Sequence, residues 1–215
     1  MVTEVLQRVR GECGELVLRR NESAFEIIAD GTFLMDTRNG ESERLMVTAA
    51  AESAPRRPRV LIGGLGVGYS LRAALDDVDA ATVVVVEREQ AVVEWNRTGP
   101  LTAVHGNALA EEGVTVVTAD LRTWLREHNT RFDVLCLDVD NGPEWTVTER
   151  NNALYEPTGL DLLTSRLTPS GVLAVWSAGY SERFDGVLRE RFGEVRIRRV
   201  PVERGEPDVV WLARR

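Results

Sequence analysis

Residues 59–68 read Arg-Val-Leu-Ile-Gly-Gly-Leu-Gly-Val-Gly, an apolar run that ends in a glycine-rich turn. Tyr69-Ser70-Leu71-Arg72-Ala73-Ala74 follows with helical spacing, so the stretch reads strand, loop, helix. The same rhythm repeats downstream. ATVVVVE (81–87), GVTVVTAD (113–120), RFDVLCLD (131–138) and GVLAVWSA (171–178) read as strands. Between them, REQAVVEWNR, LRTWLREH and GLDLLTSRL read as helices, the last stopped by Thr168-Pro169-Ser170-Gly171. RFDGVLRERF is a further helix, and EVRIRRV and DVVWLA close the chain as two strands. Continuous Val/Ile/Leu runs mark strands covered on both faces, and repeated β-α units mark a parallel sheet with right-handed crossovers.

Five such units followed by an antiparallel hairpin are the pattern of a Rossmann-like class I methyltransferase sheet, which is the α/β fold expected here. Upstream of residue 59 the pattern differs. ELVLRR, AFEIIAD and TFLMD are short β-prone segments separated by turn residues, which predicts a hairpin or three-stranded meander. ESERLMVTAAAES (41–53) has helix formers at helical spacing, and Pro55 and Pro58 punctuate a linker. The expected division is 1–54, a small β-meander plus helix, and 55–215, a Rossmann-like domain.

Composition narrows the function. The chain has 215 residues, with 43% hydrophobic and 28% charged, enough to bury a core. The 26 basic residues are all arginine, set against 34 acids, for a net charge of −8. The absence of lysine excludes Schiff-base and P-loop lysine chemistry. A pI of about 5.0 argues against a duplex nucleic-acid partner. Neither a signal-peptide pattern nor an apolar run of membrane-spanning length occurs, so a cytoplasmic protein off the membrane is expected. Cys13, Cys136, His105 and His128 show no metal-ligand spacing, and no metal is expected. Cys136 reads as core and His105 as a surface-loop histidine.

The loop does not carry a dinucleotide fingerprint. Counting from Gly64, the third glycine of GxGxxG would fall on Tyr69. It reads GxGxG instead, with Gly64, Gly66 and Gly68 letting the backbone turn tightly against a ligand. Gly63 joins them at the strand end. Glu87 ends the second strand, where a carboxylate can accept from both ribose hydroxyls. Asp120 ends the third, where it can accept an adenine amino group beside the backbone N–H of Leu121. These elements stand at the carboxyl ends of adjacent strands, where open α/β sheets bind ligands.

With those motifs in place, the chain resembles the spermidine synthase (aminopropyltransferase) family. The resemblance covers the β-rich start through Ala29-Asp30-Gly31, ESERLMV (41–47), RVLIGGLGVG (59–68), VVVVE (83–87) and VTADLRTWLRE (117–127). It continues through FDVLCLDVDNGP (132–143), Ala153-Leu154-Tyr155 and LTPSGVLAVWSA (167–178). It implies S-adenosylmethionine or its decarboxylated form as donor, a small amine acceptor such as a polyamine, and a homodimer. It also implies Asp138 as the first catalytic aspartate and Asp140 as the second, at a shortened spacing. Tyr155 is implied in the acceptor pocket, and Trp145, just past the aspartate loop, can shield the site and face a cation. Trp95, Trp124, Trp176 and Trp211 read as core.

Several positions depart from the family. Its loop aspartate, which holds the amine of the aminopropyl tail, falls on Gly66. Its donor-contacting glutamine falls on Leu34, and its polyamine-lining Tyr-Gln or Tyr-His pair falls on Glu43-Arg44. The adenosyl half is kept and the acceptor half is rewritten. Aminopropyl or methyl transfer to an amine-like small molecule is therefore expected. A methyltransferase unrelated to polyamines and a non-catalytic nucleoside-binding protein stand as alternatives.

Overall fold

The computed structural model describes residues 3–146, 148–203 and 205–215. Its first layer is a four-stranded antiparallel meander: β1 (Thr3–Gly11), β2 (Gly14–Asn21), β3 (Ala24–Ala29) and β4 (Thr32–Asp36). The sequence reading missed β1, whose side chains are mostly exposed and so carry no one-sided apolar alternation. Helix α1 (Glu41–Ala51) packs on α2 and on the central sheet, so it joins the large layer in space rather than the meander.

The remaining elements alternate as the apolar runs predict. They are β5 (Arg59–Gly63), α2 (Tyr69–Asp76), β6 (Thr82–Glu87), α3 (Gln90–Arg97), α4 (Thr102–His105), β7 (Val114–Thr118) and α5 (Leu121–Glu127). After them come β8 (Phe132–Leu137), α6 (Glu149–Tyr155), α7 (Pro157–Ser165), β9 (Leu167–Ser177), α8 (Glu182–Arg191), β10 (Glu194–Val200) and β11 (Asp208–Arg214). The seven-stranded sheet runs β10-β11-β9-β8-β5-β6-β7, with β11 antiparallel to both its neighbours and the other pairs parallel. This is the class I methyltransferase arrangement expected from the sequence. β9 begins earlier than its apolar run, at Leu167. Its register against β8 shifts between Phe132 and Val134, which accommodates Pro169 near the strand start.

Both faces of the sheet are covered, as continuous apolar strands require. Val60, Ile62, Val83, Val85, Val134 and Cys136 pack on one side with Met46, Leu71 and Trp95. Leu61, Leu135, Leu137, Leu173 and Trp211 pack on the other with Leu125, Leu163 and Phe184. No helix among the described residues is long and apolar enough to cross a membrane.

Strand order places the site. β5 and β8 are adjacent and lead to helices on opposite faces, so their carboxyl ends open a crevice. The meander borders it, tied down by long-range hydrogen bonds. Trp95 Nε1 donates to Gln7 Oε1 at 2.5 Å, and Tyr69 Oη donates to the Thr37 carbonyl at 2.8 Å.

Candidate active site

The crevice is a cleft enclosing about 920 Å³, part of it open to solvent. Gly64 and Gly66 form its floor, with φ of +93° and +51°. At Gly64 a Cβ would stand 1.9 Å from the Asp138 carbonyl oxygen, so the loop and the end of β8 fit only without a side chain there. At Gly66 a Cβ would meet the Met35 sulfur at 2.2 Å. The other two glycines of the sequence reading do not line the cleft. Gly63 backs onto Leu121, and Gly68 caps α2 over the ring of His105.

Glu87 is buried at the cleft wall and holds the loop in place. Its Oε2 accepts from Leu65 N at 2.8 Å, and its Oε1 accepts from Glu89 N at 2.8 Å. Burial raises its pKa, and the two backbone donors oppose that rise. Each oxygen keeps a second lone pair, so ribose hydroxyls remain acceptable donors. Glu87→Gln turns an amide nitrogen toward one of the backbone N–H groups. We expect a loss of about 1–3 kcal/mol in denaturant unfolding; an unchanged midpoint would remove Glu87 from its role in holding the loop.

Asp120 lines the cleft and also caps α5, its Oδ1 accepting from Thr123 N at 2.9 Å and Thr123 Oγ1 at 3.0 Å. Leu121, the first residue of that helix, lines the cleft beside it. Asp138 stands at the end of β8 and also faces the cleft. Ser70 Oγ donates to its Oδ2 at 3.4 Å. Burial, with Glu43 and Glu87 nearby, pushes its pKa up to about 8. A carboxyl so poised can take a proton from an ammonium group near neutral pH. Asp140 is buried beside it. Its Oδ1 accepts from Asn141 N at 3.1 Å, and its Oδ2 accepts from Asn151 Nδ2 at 2.8 Å.

Trp145 and Tyr155, expected at the acceptor pocket, are not among the residues that line the cleft, although the buried Tyr155 hydroxyl lies close enough to Asp140 and Asp138 to feel their charges. A turn with Trp145 N on the Gly142 carbonyl at 3.3 Å leaves the indole 59% exposed. Tyr155 is in the core, edge-on to Phe184 with centroids 5.6 Å apart. His105 is also corrected: it is buried, not on the surface, because Ala108 N donates to its Nδ1 at 3.1 Å and the ring fills the space beneath Gly68. Trp95, Trp124 and Trp211 are core, but Trp176 lines the cleft. The sequence reading also gave no role to Asn141, Arg88 or Asn151, which line it too. Among the described residues, no group of three or more His, Cys, Asp or Glu side chains is arranged to hold a metal ion.

The site therefore has acids at the ends of β8, β6 and β7, with the glycine loop that follows β5 set between the first two. No protein-family model matches the chain. It is 31% identical over 169 residues to polyamine aminopropyltransferase 2 of Pseudomonas aeruginosa, covering 73% of this chain and 46% of that protein. It is 33% identical over 119 residues to polyamine aminopropyltransferase 1 of Streptomyces coelicolor, covering 55% of this chain and 22% of that one. The chain is similar to the polyamine aminopropyltransferases. It spans less than half the length of these two curated relatives. The aminopropyltransferase likeness extends to the fold. A spermidine synthase in complex with the transition-state analogue AdoDATO superposes with a TM-score of 0.83 over 98% of this chain and 73% of that one, at 16% identity. Spermidine synthase from Thermotoga maritima gives 0.78 over 98% and 72%, also at 16% identity.

Proposed function

We propose that the chain is a group transferase of the aminopropyltransferase type, taking decarboxylated S-adenosylmethionine as donor and a small amine as acceptor. One observation carries the reading: Asp138, poised near neutral pH, shares a cleft with the loop-holding Glu87. In this reading Glu87 takes the ribose hydroxyls, and Asp120 with Leu121 takes the adenine. The acceptor nitrogen bonds to the carbon beside the sulfonium, and the C–S bond breaks. The electron pair returns to sulfur, leaving neutral methylthioadenosine, and the amine's proton goes to Asp138. Asp140, fixed by Asn151, positions the 138–142 loop.

The test is calorimetry with methylthioadenosine and the decarboxylated donor, followed by chromatography for methylthioadenosine after incubation with an amine panel. Binding plus turnover supports the reading. Failure of either nucleoside to bind at millimolar concentration overturns it. The same assay with S-adenosylmethionine distinguishes methyl transfer.

Nucleoside binding without turnover is favoured by one specific observation. The space above Gly66 holds the Met35 thioether, with Leu34 beside it, so an apolar surface stands where the resemblance implies an acid. Restoring that acid is informative. Asp tolerates the left-handed φ of Gly66 better than most residues, and shortening Met35 makes room. The double variant Gly66→Asp, Met35→Ala should bind the decarboxylated donor about tenfold more tightly, through a new charge-assisted hydrogen bond to its amine. Equal tightening of methylthioadenosine, which lacks that amine, would reject the explanation.

A further inference from the structure

The end of the cleft away from Asp120 has a different chemistry. Glu43, from the first turn of α1, and Asp138 both face it, with Trp176 and Asn141. Glu43 is close enough for its charge to be felt at Asp138. The side-chain hydrogen bonds to these two carboxylates come from hydroxyls: Ser42 Oγ donates to Glu43 Oε2 at 2.9 Å, and Ser70 Oγ donates to Asp138 Oδ2. Arg88, the arginine that lines the cleft, lies 3.6 Å from Glu89 instead. Two neighbouring carboxylates without a cation repel each other, and a bound ammonium group relieves that repulsion. The indole of Trp176 adds an aromatic face suited to a cation.

The cleft's other acids each already hold a neighbour, Asp120 by capping α5. Glu87 holds Leu65 N and Glu89 N, Glu89 holds Glu12 N at 2.8 Å, and Asp140 holds Asn151. The meander side offers Leu34 and Met35. The Glu43–Asp138 pair therefore offers one place for an ammonium group, reinforced by Asp208, whose charge is felt at both carboxylates, while the apolar meander side offers a second ammonium no partner.

A second feature asks for an oxygen. Asn141 is 7% exposed and lines the same cleft, and its buried Nδ2 has no hydrogen-bond partner among the described residues. Its backbone is fixed, with Ala178 N donating to its carbonyl at 3.0 Å. A buried amide N–H without an acceptor is costly unless a ligand satisfies it.

We propose that the acceptor is a compact amine with a single ammonium group and a hydroxyl or carbonyl oxygen a few bonds away. The ammonium sits between Glu43 and Asp138, and the oxygen accepts from Asn141 Nδ2. This rests on reading the cleft as a group-transfer site, and it makes Glu43 and Asn141 the residues that set acceptor choice.

The test is calorimetric titration of protein saturated with methylthioadenosine, using 3-aminopropan-1-ol, β-alaninamide, n-butylamine and putrescine. The first two separate a hydroxyl from a carbonyl. At least one of them should bind about fivefold or more tightly than n-butylamine, the worth of one added hydrogen bond, and more tightly than putrescine. Asn141→Ala, and Asn141→Asp with similar size but no amide donor, should each erase that preference and retain n-butylamine binding. Glu43→Gln should weaken every amine about tenfold or more. The proposal is overturned if n-butylamine or putrescine matches both oxygen-bearing amines, if no amine binds, or if the preference survives both Asn141 variants. Should methylthioadenosine itself not bind, the group-transfer reading fails separately. The same titrations on the free protein then decide the amine preference by the same criteria.

Discussion

Asp138→Asn should lower turnover by about 10²–10⁴-fold, the usual worth of a positioned proton acceptor, while methylthioadenosine affinity changes little. The adenosyl contacts proposed here lie on the ends of β6 and β7, and those strands keep their register whichever side chain ends β8. The wild-type pH profile should carry its own signature. With the pKa pushed up to about 8, Asp138 is largely protonated in the free protein at neutral pH, so kcat/KM should rise with pH through about 8. A sulfonium donor favours the ionised form, so the acid limb of kcat should lie lower. The amide that replaces the carboxyl does not titrate, and the variant's residual rate should lose this limb. Stability should move the other way. Because the folded pKa lies above the ordinary value of 3.8, this carboxyl's favourable contribution is complete at acid pH. It is lost as pH rises toward and through about 8. The variant should therefore gain thermal stability relative to wild type at pH 9, and a gain of about 1–2 kcal/mol reads as roughly 2–8 °C in a chain of this size. Turnover within twofold of wild type would remove Asp138 from the chemistry.

Gly64→Ala should be the most disruptive change of a single methyl group in the molecule. The residue sits at φ +93°, outside the conformations an alanine adopts readily, and the added carbon would lie 1.9 Å from the Asp138 carbonyl oxygen. Backbone strain of about 1–3 kcal/mol and overpacking of similar size act together. Thermal unfolding should fall by roughly 4–12 °C or more. The loop can yield only by drawing away from β8, yet Gly64 N donates to the Val86 carbonyl at 2.9 Å and Asp138 N donates to the Gly63 carbonyl at 2.8 Å. Methylthioadenosine binding should be lost with the fold's local order. Retention of both the melting temperature and the nucleoside affinity would show that the loop has slack the geometry denies.

The sheet and the adenosyl half were legible because they rest on local signals: continuous β-branched runs, a glycine turn between strand and helix, and acids at strand ends. What was not legible depends on tertiary neighbours. β1 is an exposed edge strand, so Thr3–Gly11 has no buried stripe to announce it. Val175 and Trp176 are consecutive, and the parity of β9 against its neighbours sends one into the core and the other to the cleft. The resemblance sets Glu43 at an acceptor-lining position, but its nearness to Asp138 emerges only once α1 packs on the central sheet. Tyr155 and Trp145 depend on tertiary placement as well. Their neighbours in sequence match a known pattern, but the helix α6 turns one ring into the core and a turn at Gly142 leaves the other in solvent.

The carboxylates on the β6 side form a relay. Glu87 accepts from Glu89 N, and Glu89 in turn accepts from Glu12 N in the turn between β1 and β2. The meander is thereby fastened to the same backbone that shapes the glycine loop. Thermodynamic reciprocity then governs the two. An occupant that touches both Glu87 and the meander residues Leu34 or Met35 binds best with the meander seated, and it favours the seated meander by the same factor. In that sense the small layer acts as an effector of the large one, carried by the chain itself.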